Sequence, residues 1–498
     1  MYYQSTRGKS AKRTGIQAVV AGIAEDGGLF VPMELPDFSG ELADFAGLSY
    51  EETAFRVMSP FFSEIPAEKF KAAVANAYGG KFENPNIAPV VSVGDCFNFL
   101  ELYHGPTLAF KDMALSFLPE LMRLALEAEG KGEEILILTA TSGDTGKAAL
   151  EGFKNKEGIK ILVFYPKDGV SEMQKRQMVT EDGENAFVAA VDGNFDDAQS
   201  GVKNLFMDED FCEAVKGKGY RFSSANSINI GRLVPQIAYY VYGYFQLVAQ
   251  GKITLGEPLN VAVPTGNFGN ILAAYYAKQM GLPLGKLICA SNENHVLSDF
   301  FGTGIYDRNR PLHLTTSPSM DILISSNLER LIYEISGRDS EKVASLMQSL
   351  QESGRYEIDE VMKENLQDFY GVYSTEEEIA AQIKEVFDAT GYLMDTHTAV
   401  GAHAYSRYCE ESGDRNCVML VSTASPFKFS EAVAEALNFL VVGLDFYQVS
   451  ELLAKEANLS VPKQLENLKT AQVRFNQVYA KEDMKSAVME FLGLQVKR

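Results

Sequence analysis

The 498-residue chain is poor in cysteine and in positive charge, and each shortage excludes a class of function. Its five cysteines, Cys96, Cys212, Cys289, Cys409 and Cys417, are odd in number and contain no C-x-x-C pair. Neither a zinc cluster nor a disulfide framework is indicated, and a reducing compartment, the cytoplasm, is expected. Lys plus Arg total 45 against 67 Asp plus Glu, for a net charge of -22. Phosphate backbones and acidic lipids reward clustered positive charge, so no nucleic acid and no membrane partner is expected, and any anionic ligand must be held by local groups. No run approaches the roughly 18 apolar residues that span a bilayer. Arg7, Lys9, Lys12 and Arg13 precede an apolar stretch at 16–24, which superficially copies a secretory signal. Glu25, Asp26, Gly27 and Gly28 follow where cleavage would need small neutral residues, so an amphipathic helix ending in a turn is expected instead. Nucleotide-loop signatures are missing as well: a P-loop needs glycine where Thr141 stands and Ser or Thr where Ala148 stands, and no G-x-G-x-x-G follows a predicted strand.

What is present is a soluble globular composition, 46% hydrophobic and 22% charged, in a chain long enough for two to four domains or one large enzyme core. After a mixed segment of about 95 residues with a Pro-rich break at 84–89, short apolar runs recur at 135–139, 161–165, 187–191, 259–263, 287–290 and 418–421. Bounded by Gly, Pro, Ser or Asp, they read as buried parallel strands. Helical patterns lie between them. Ala114, Leu118, Leu121 and Ala125 share one face, and 233–248 is a long apolar helix whose Tyr239, Tyr240, Tyr242 and Tyr244 pack in the core. Alternating strands and helices imply a doubly wound α/β core. The stretch 311–390 breaks the rhythm with acidic helices at 332–352 and 356–367 and reads as a helical insertion or appended layer.

Ligands in such sheets bind beyond the carboxyl ends of strands, where helix N-termini offer free N–H groups. Three strand-end loops therefore carry the search. The first, Thr141-Ser142-Gly143-Asp144-Thr145-Gly146, presents hydroxyls and glycines suited to a small anion. The second, Gly266-Asn267-Phe268-Gly269-Asn270, has two glycines that let backbone N–H groups curl round a phosphate. The third runs from Ser422 and Thr423 to Lys428. Ordinary βα turns favour the same residue types, so no loop is specific by itself. Lys111, in His104-Gly105-Pro106-Thr107-Leu108-Ala109-Phe110-Lys111, sits at a predicted helix start among apolar neighbours. Burial and an unfavourable helix dipole both lower an amine's pKa, as a Schiff-base lysine requires. Taken alone, a lysine there is more often structural, snorkelling out or paired with Asp112. His397 and His403 are six apart, which does not put two ligands on one helical face, and no metal is expected. His295 and His313 read as packing or capping residues, and His104 as a group that orients the Lys111 loop.

In this order and at these separations, the residues resemble the threonine synthase family, in its longer form with an extra N-terminal domain. The resemblance covers nearly the whole chain. It rests on Asp26-Gly27-Gly28-Leu29-Phe30-Val31-Pro32, on 104–111, 141–146 and 266–270, on Ser319-Met320-Asp321 with Ser325-Ser326-Asn327, and on 395–401. It implies an α/β fold of PLP fold type II, tryptophan-synthase-β-like, with an N-terminal domain at 1–95 and a PLP-binding catalytic region at 96–498. Within that region it implies a smaller subdomain at about 113–230 and a larger one at about 231–498 carrying the insertion. The cofactor implied is pyridoxal 5'-phosphate (PLP). Lys111 looks like the lysine that holds it and later shuttles protons, Gly266, Asn267, Phe268, Gly269 and Asn270 like the cup for its phosphate, and Thr423 like the neutral hydroxyl facing the pyridine nitrogen. Thr141, Ser142, Gly143, Asp144 and Thr145 resemble the loop that faces ring and substrate. Related cysteine synthases carry asparagine where this chain has Asp144, and a carboxylate near the substrate carboxylate would repel it, so Asp144 is expected to point elsewhere.

The reaction implied is O-phospho-L-homoserine plus water giving L-threonine and phosphate. Asn226, Ser227, Asn229 and Arg232 cluster amides, a hydroxyl and a guanidinium at a strand-to-helix junction, which suits an anionic substrate. Helix capping plus a surface arginine is the alternative reading of that cluster. A related PLP-dependent phospholyase or β-replacement enzyme would share the cofactor residues, and a non-catalytic relative would share the fold. Retention of Lys111, Thr423 and both glycine-rich loops speaks against the latter. The protein is expected to be a monomer or homodimer.

Overall fold

All six apolar runs form strands, and the hydrogen-bonded ladders between them are parallel. The structure is a computed structural model that describes residues 1–94, 96–130, 132–141, 143–168 and 170–494. The larger sheet has six strands in the order Phe369–Tyr373, Leu284–Ser291, Leu259–Pro264, Val418–Ser422, Phe97–Glu101 and Val90–Val93. The smaller has five, in the order Val478–Ala480, Ala186–Asp192, Ile159–Pro166, Glu134–Ala140 and Tyr220–Ser223. Strands such as Leu259–Pro264, buried at every residue, carry apolar side chains on both faces because helices cover both faces.

Five strands of these two sheets escape the apolar-run reading, Phe97–Glu101 and four shorter or edge strands that each change the picture. Val90–Val93 pairs antiparallel with Phe97–Glu101, so the chain has entered the larger sheet before residue 95, where the end of the N-terminal segment was expected. Phe369–Tyr373 lies inside the supposed helical insertion yet forms the parallel edge of the larger sheet; Tyr370 and Gly371 are half-exposed, as befits an edge. Tyr220–Ser223 adds to the smaller sheet beside Glu134–Ala140. Val478–Ala480 returns to the smaller sheet, and Met484, Ala487 and Val488 of the helix after it join that sheet's core. The last residues therefore belong with the smaller sheet rather than the larger. The expected helix at 332–352 is two helices, Leu328–Ile335 and Ser340–Ser353, interrupted at Gly337 and Arg338, both of positive φ.

At the N-terminus a three-stranded antiparallel sheet of Tyr2–Ser5, Arg13–Thr14 and Phe30–Pro32 carries the helix Gly15–Ala21. Thr14 and Gln17 form a capping box at its start, Gly22, at φ 72°, ends it, and the expected turn follows at Glu25 and Asp26. Val19, Tyr50, Phe61 and Phe70 share one apolar core with Leu118, Ile237 and Tyr240, so this region leans on the central helix Ile230–Ala249. The face expected on Ala114 to Ala125 belongs to two helices, Lys111–Leu115 and Leu118–Glu129, with Pro119 in the first turn of the second. Among the described residues no helix is long and apolar enough to cross a membrane.

Candidate active site

Each large sheet has a point where its strand order reverses, and both points hold a glycine loop. In the larger sheet Leu259–Pro264 lies between Leu284–Ser291, which follows it in the chain, and Val418–Ser422, which arrives much later. In the smaller sheet Glu134–Ala140 lies between Ile159–Pro166 and Tyr220–Ser223 in the same way. Helices leaving such neighbours go to opposite faces and leave a crevice at the strand's carboxyl end.

In the larger sheet that crevice is built by 264–270. Phe268 takes the left-handed conformation, φ 65°, and turns the chain into the helix Gly269–Gln279. Ser325 Oγ donates to the Gly266 carbonyl at 2.7 Å, and Asn327 donates to the Asn267 carbonyl from its backbone N (3.1 Å) and its Nδ2 (2.9 Å). The loop's carbonyls are thus tied back. The first-turn N–H groups of the helix have no side-chain cap and, by helix geometry, no intrahelical acceptor. Asn270 Oδ1 accepts from Tyr239 and Tyr240 at 2.6 and 2.5 Å, which leaves its buried Nδ2 without a partner. A Cβ on Gly266 would stand 2.7 Å from the Ser319 carbonyl oxygen, so only glycine fits. Unspent donors at a helix start are the donor set a phosphate needs.

Lys111 reaches the same end of the sheet. The segment after Phe97–Glu101 is stitched to the end of Val418–Ser422: Leu102 N donates to Ser422 O, Phe110 N to Thr423 O and Ser425 N to Leu108 O, all at 2.8–3.0 Å. Thr423 is thereby fixed one residue from Lys111, which opens the helix Lys111–Leu115 as expected. The Lys111 ammonium lies 3.4 Å from Asp144 Oδ2 and 3.5 Å from Ser319 Oγ. Burial pushes this amine below the ordinary lysine range; Lys428 and Arg232 add to the push and Asp144 opposes it. Asp112 is not its partner. That carboxyl accepts from Thr107 N and Oγ1 at 2.8 and 2.6 Å, and burial raises it to about 6. His104 is bound to Glu101, 2.8 Å away, at the foot of the same segment.

The loop of the smaller sheet turns two of its donors inward. Thr141 Oγ1 accepts from both Gly143 N and Gly146 N at 2.9 Å. Gly143, at φ 145°, packs so tightly on Gln174 that a Cβ would lie 2.4 Å from its Cδ. Asp144 is buried: its Oδ1 meets Lys428 Nζ at 2.7 Å and Gln174 Nε2 at 3.0 Å, and its Oδ2 faces Lys111. Against the upward pull of burial, Lys428 and Lys111 hold this carboxyl well below the usual range. Thr145 follows, half-buried, while Ser142 lies outside the described residues.

The 226–232 cluster divides. Asn229 caps the helix Ile230–Ala249: its Oδ1 accepts from Gly231 N, and its Nδ2 donates to Val19 O and Ser224 O. It has no hydrogen left for a substrate, which corrects its expected role. Ser227 Oγ lies 3.2 Å from Ser326 Oγ, which in turn meets Asn267, and Asn226 is half-exposed nearby in sequence. Arg232 is not a surface arginine. It is buried, donates from Nη1 to Ala225 O at 2.8 Å, and leaves Nε without a partner; burial lowers the guanidinium to about 10.

Several contributors carry no sequence signal of their own. Lys428 and Ser319 stand inside recognised motifs yet contact Lys111 or Asp144 only through the fold. His397 accepts from Ser319 N at its Nε2 (3.2 Å) while its Nδ1 binds Asp395 at 2.8 Å. Arg330, wholly buried, joins Phe30 O, Asn327 Oδ1 and Ile228 O, and so ties the N-terminal sheet to the residue that holds the Asn267 carbonyl.

Comparison with known proteins accounts for this assembly. Residues 2–78 match the family described as threonine synthase N terminus, 95–423 the pyridoxal-phosphate dependent enzymes, and 398–489 the C-terminal part of threonine synthase. The chain is 42% identical over 436 residues to human threonine synthase-like 1, covering 84% of this chain and 58% of that longer protein. It is 42% identical over 439 residues to threonine synthase from Pseudomonas aeruginosa, covering 88% and 90% of the two chains. The structure of PLP-bound threonine synthase from Brucella melitensis superposes with a TM-score of 0.87 at 38% identity over 99% of both chains. The chain belongs to the threonine synthase family of pyridoxal-phosphate-dependent enzymes.

Proposed function

We propose that the protein is a threonine synthase, a PLP-dependent carbon–oxygen lyase that converts O-phospho-L-homoserine and water to L-threonine and phosphate by γ-elimination and β-addition. One observation beyond kinship carries the substrate class. Arg232 is buried with Nε unpartnered, no carboxylate among the described residues pairs with it, and its charge is felt at Lys111. A guanidinium taken out of water without a counter-ion is costly, and a doubly charged phosphate is the ligand that offsets that cost.

The roles follow from the geometry. Gly266, Asn267, Phe268, Gly269 and Asn270 hold the cofactor phosphate with the free N–H groups of their helix start and Asn270 Nδ2. Bound PLP supplies an electron sink for the carbanion chemistry at the substrate's α-carbon. Lys111, whose amine is disfavoured as a cation, takes the α-proton and returns it in the later steps. Thr423 would offer its neutral hydroxyl to the ring of the bound cofactor. Arg232, with Asn226 and Ser227, binds the substrate phosphate, and Thr141, Gly143 and Thr145 form the wall facing the substrate. Asp144 is left out of substrate binding, since Lys428 and Gln174 hold it. The five unpaired thiols support a reducing compartment, and we assign the cytoplasm on that ground. We also read the active unit as a monomer or homodimer.

Product analysis tests the reaction. Purified protein with PLP is given O-phospho-L-homoserine, homoserine or O-phosphoserine at equal concentration, and amino-acid products and free phosphate are followed together. Threonine and phosphate should appear in equal amounts from phosphohomoserine alone. Rapid turnover of O-phosphoserine without threonine from phosphohomoserine would make the protein a phospholyase instead.

A further inference from the structure

One buried carboxylate stands between a wholly buried lysine and a partly buried one. Lys428 comes from the 3-10 turn Pro426–Phe429 after the strand Val418–Ser422, and its side chain is completely buried. Its ammonium is 2.7 Å from Asp144 Oδ1 and donates to Thr107 O at 2.9 Å. Gln174 Nε2 donates to the same Asp144 oxygen at 3.0 Å. The other oxygen, Oδ2, is left for Lys111 at the looser distance of 3.4 Å. Asp144 is thus gripped from behind and offered at arm's length to the lysine that the proposed function makes reactive. We propose that Lys428 is a positioning residue that holds the Asp144 carboxylate in this divided arrangement and, with it, sets the pH at which the Lys111 amine is free to react with an aldehyde.

The effect is electrostatic and rests on Lys111 being the PLP lysine. Joining PLP to Lys111 requires a neutral amine: nitrogen forms the bond to the aldehyde carbon, and the aldehyde oxygen departs as water with the two amine hydrogens. A carboxylate free to turn wholly onto Lys111 would keep it an ammonium. No carboxylate at all would leave Lys111 facing Lys428 and Arg232 unopposed. The grip of Lys428 and Gln174 gives a value between these limits. Other groups around Lys111 do not compete for this role: Ser319 Oγ is uncharged, His397 is engaged by Asp395 and by Ser319 N, and Asp112 is turned to Thr107.

The test uses the full-length chain stripped of cofactor, with PLP added across the neutral and alkaline range. The rate at which the Schiff-base absorbance grows is read against pH, and melting temperature is read alongside. An opposite charge within a few ångströms shifts an amine by about one pH unit or more. Lys428→Met should move the midpoint of the rate profile up by about that amount, and Asp144→Asn should move it down by a similar amount. The double variant, which leaves no unpaired charge from this couple, should return towards the wild-type midpoint. Shifts in the same direction, or unmoved midpoints in variants that melt like wild type, would overturn the proposal. Should a single variant not fold, the double variant decides alone: a midpoint near wild type supports the proposal, and one displaced by about a unit or more contradicts it. Failure of wild-type Lys111 to take up PLP would instead sink the functional reading on which this one rests.

Discussion

The two glycine loops, 141–146 and 264–270, occupy equivalent places at the reversal points of two parallel sheets, yet they handle their hydrogen bonds in opposite ways. In 264–270 the carbonyls are satisfied from outside by Ser325 and Asn327, and the helix-start N–H groups and Asn270 Nδ2 stay unspent. In 141–146 the Thr141 hydroxyl absorbs two N–H groups, and the acid that follows is neutralised by Lys428. Composition alone does not separate them, since both are rich in Gly and short polar residues. What separates them is which half of the peptide group, donor or acceptor, the rest of the fold has already used. A loop whose carbonyls are tied back and whose helix start is uncapped is a receptor for anions, whereas 141–146 turns two of its donors onto its own threonine.

The largest effect expected on this contrast comes from the charge that neither loop compensates. Arg232→Met removes the unpaired guanidinium, and losing a buried charged contact of this kind costs about 2–5 kcal/mol in transition-state binding, hence ~30-fold or more in kcat/KM for phosphohomoserine. The melting temperature of the ligand-free variant should not fall, because the desolvated charge disappears with the side chain. A large drop in stability with unchanged kcat/KM would make Arg232 structural.

A smaller and more local effect distinguishes the loops by their glycines. Gly266→Ala places a Cβ 2.7 Å from the Ser319 carbonyl, and overpacking of this kind costs about 1–3 kcal/mol, felt here as roughly ten-fold weaker PLP binding measured by titration. Gly143→Ala meets Gln174 at 2.4 Å in a backbone conformation suited to glycine, so its cost should appear chiefly in melting temperature. Reversed outcomes for the two variants would break the contrast.

The smallest effect is that of Thr141→Val. It deprives Gly143 N of its acceptor and leaves Gly146 N only the Gly143 carbonyl, and should cost about 1–2 kcal/mol of stability by denaturant titration, with PLP affinity kept within about two-fold. A pronounced loss of PLP affinity would show that the first loop also receives the cofactor directly.

Much of this was legible from residue order. The six strands announce themselves because burial on both faces demands continuous apolar runs, and the loops stand out because strand ends need Gly and short polar residues. Phe369–Tyr373 and Val478–Ala480 were not legible: an edge strand needs no long apolar run, and Val478–Ala480 has only three residues, with Val478 and Ala480 exposed. Lys111 and Arg232 could be picked out by type and place. Asn229 could not be sorted from them, since an asparagine at a helix start serves equally as cap or ligand. Lys428 was invisible as a contributor, because its partnership with Asp144 spans 284 residues of chain and exists only once both sheets are built.

The account is tested most directly by locating the cofactor after reduction. Holoenzyme is treated with borohydride and digested, and the pyridoxyl group is mapped by mass spectrometry. Lys111 and Lys428 lie at opposite oxygens of the same carboxylate, so the map separates the reactive lysine from the one assigned to hold Asp144. A single label on the peptide carrying Lys111 is the predicted result; a label on Lys428 or on any other lysine would contradict it.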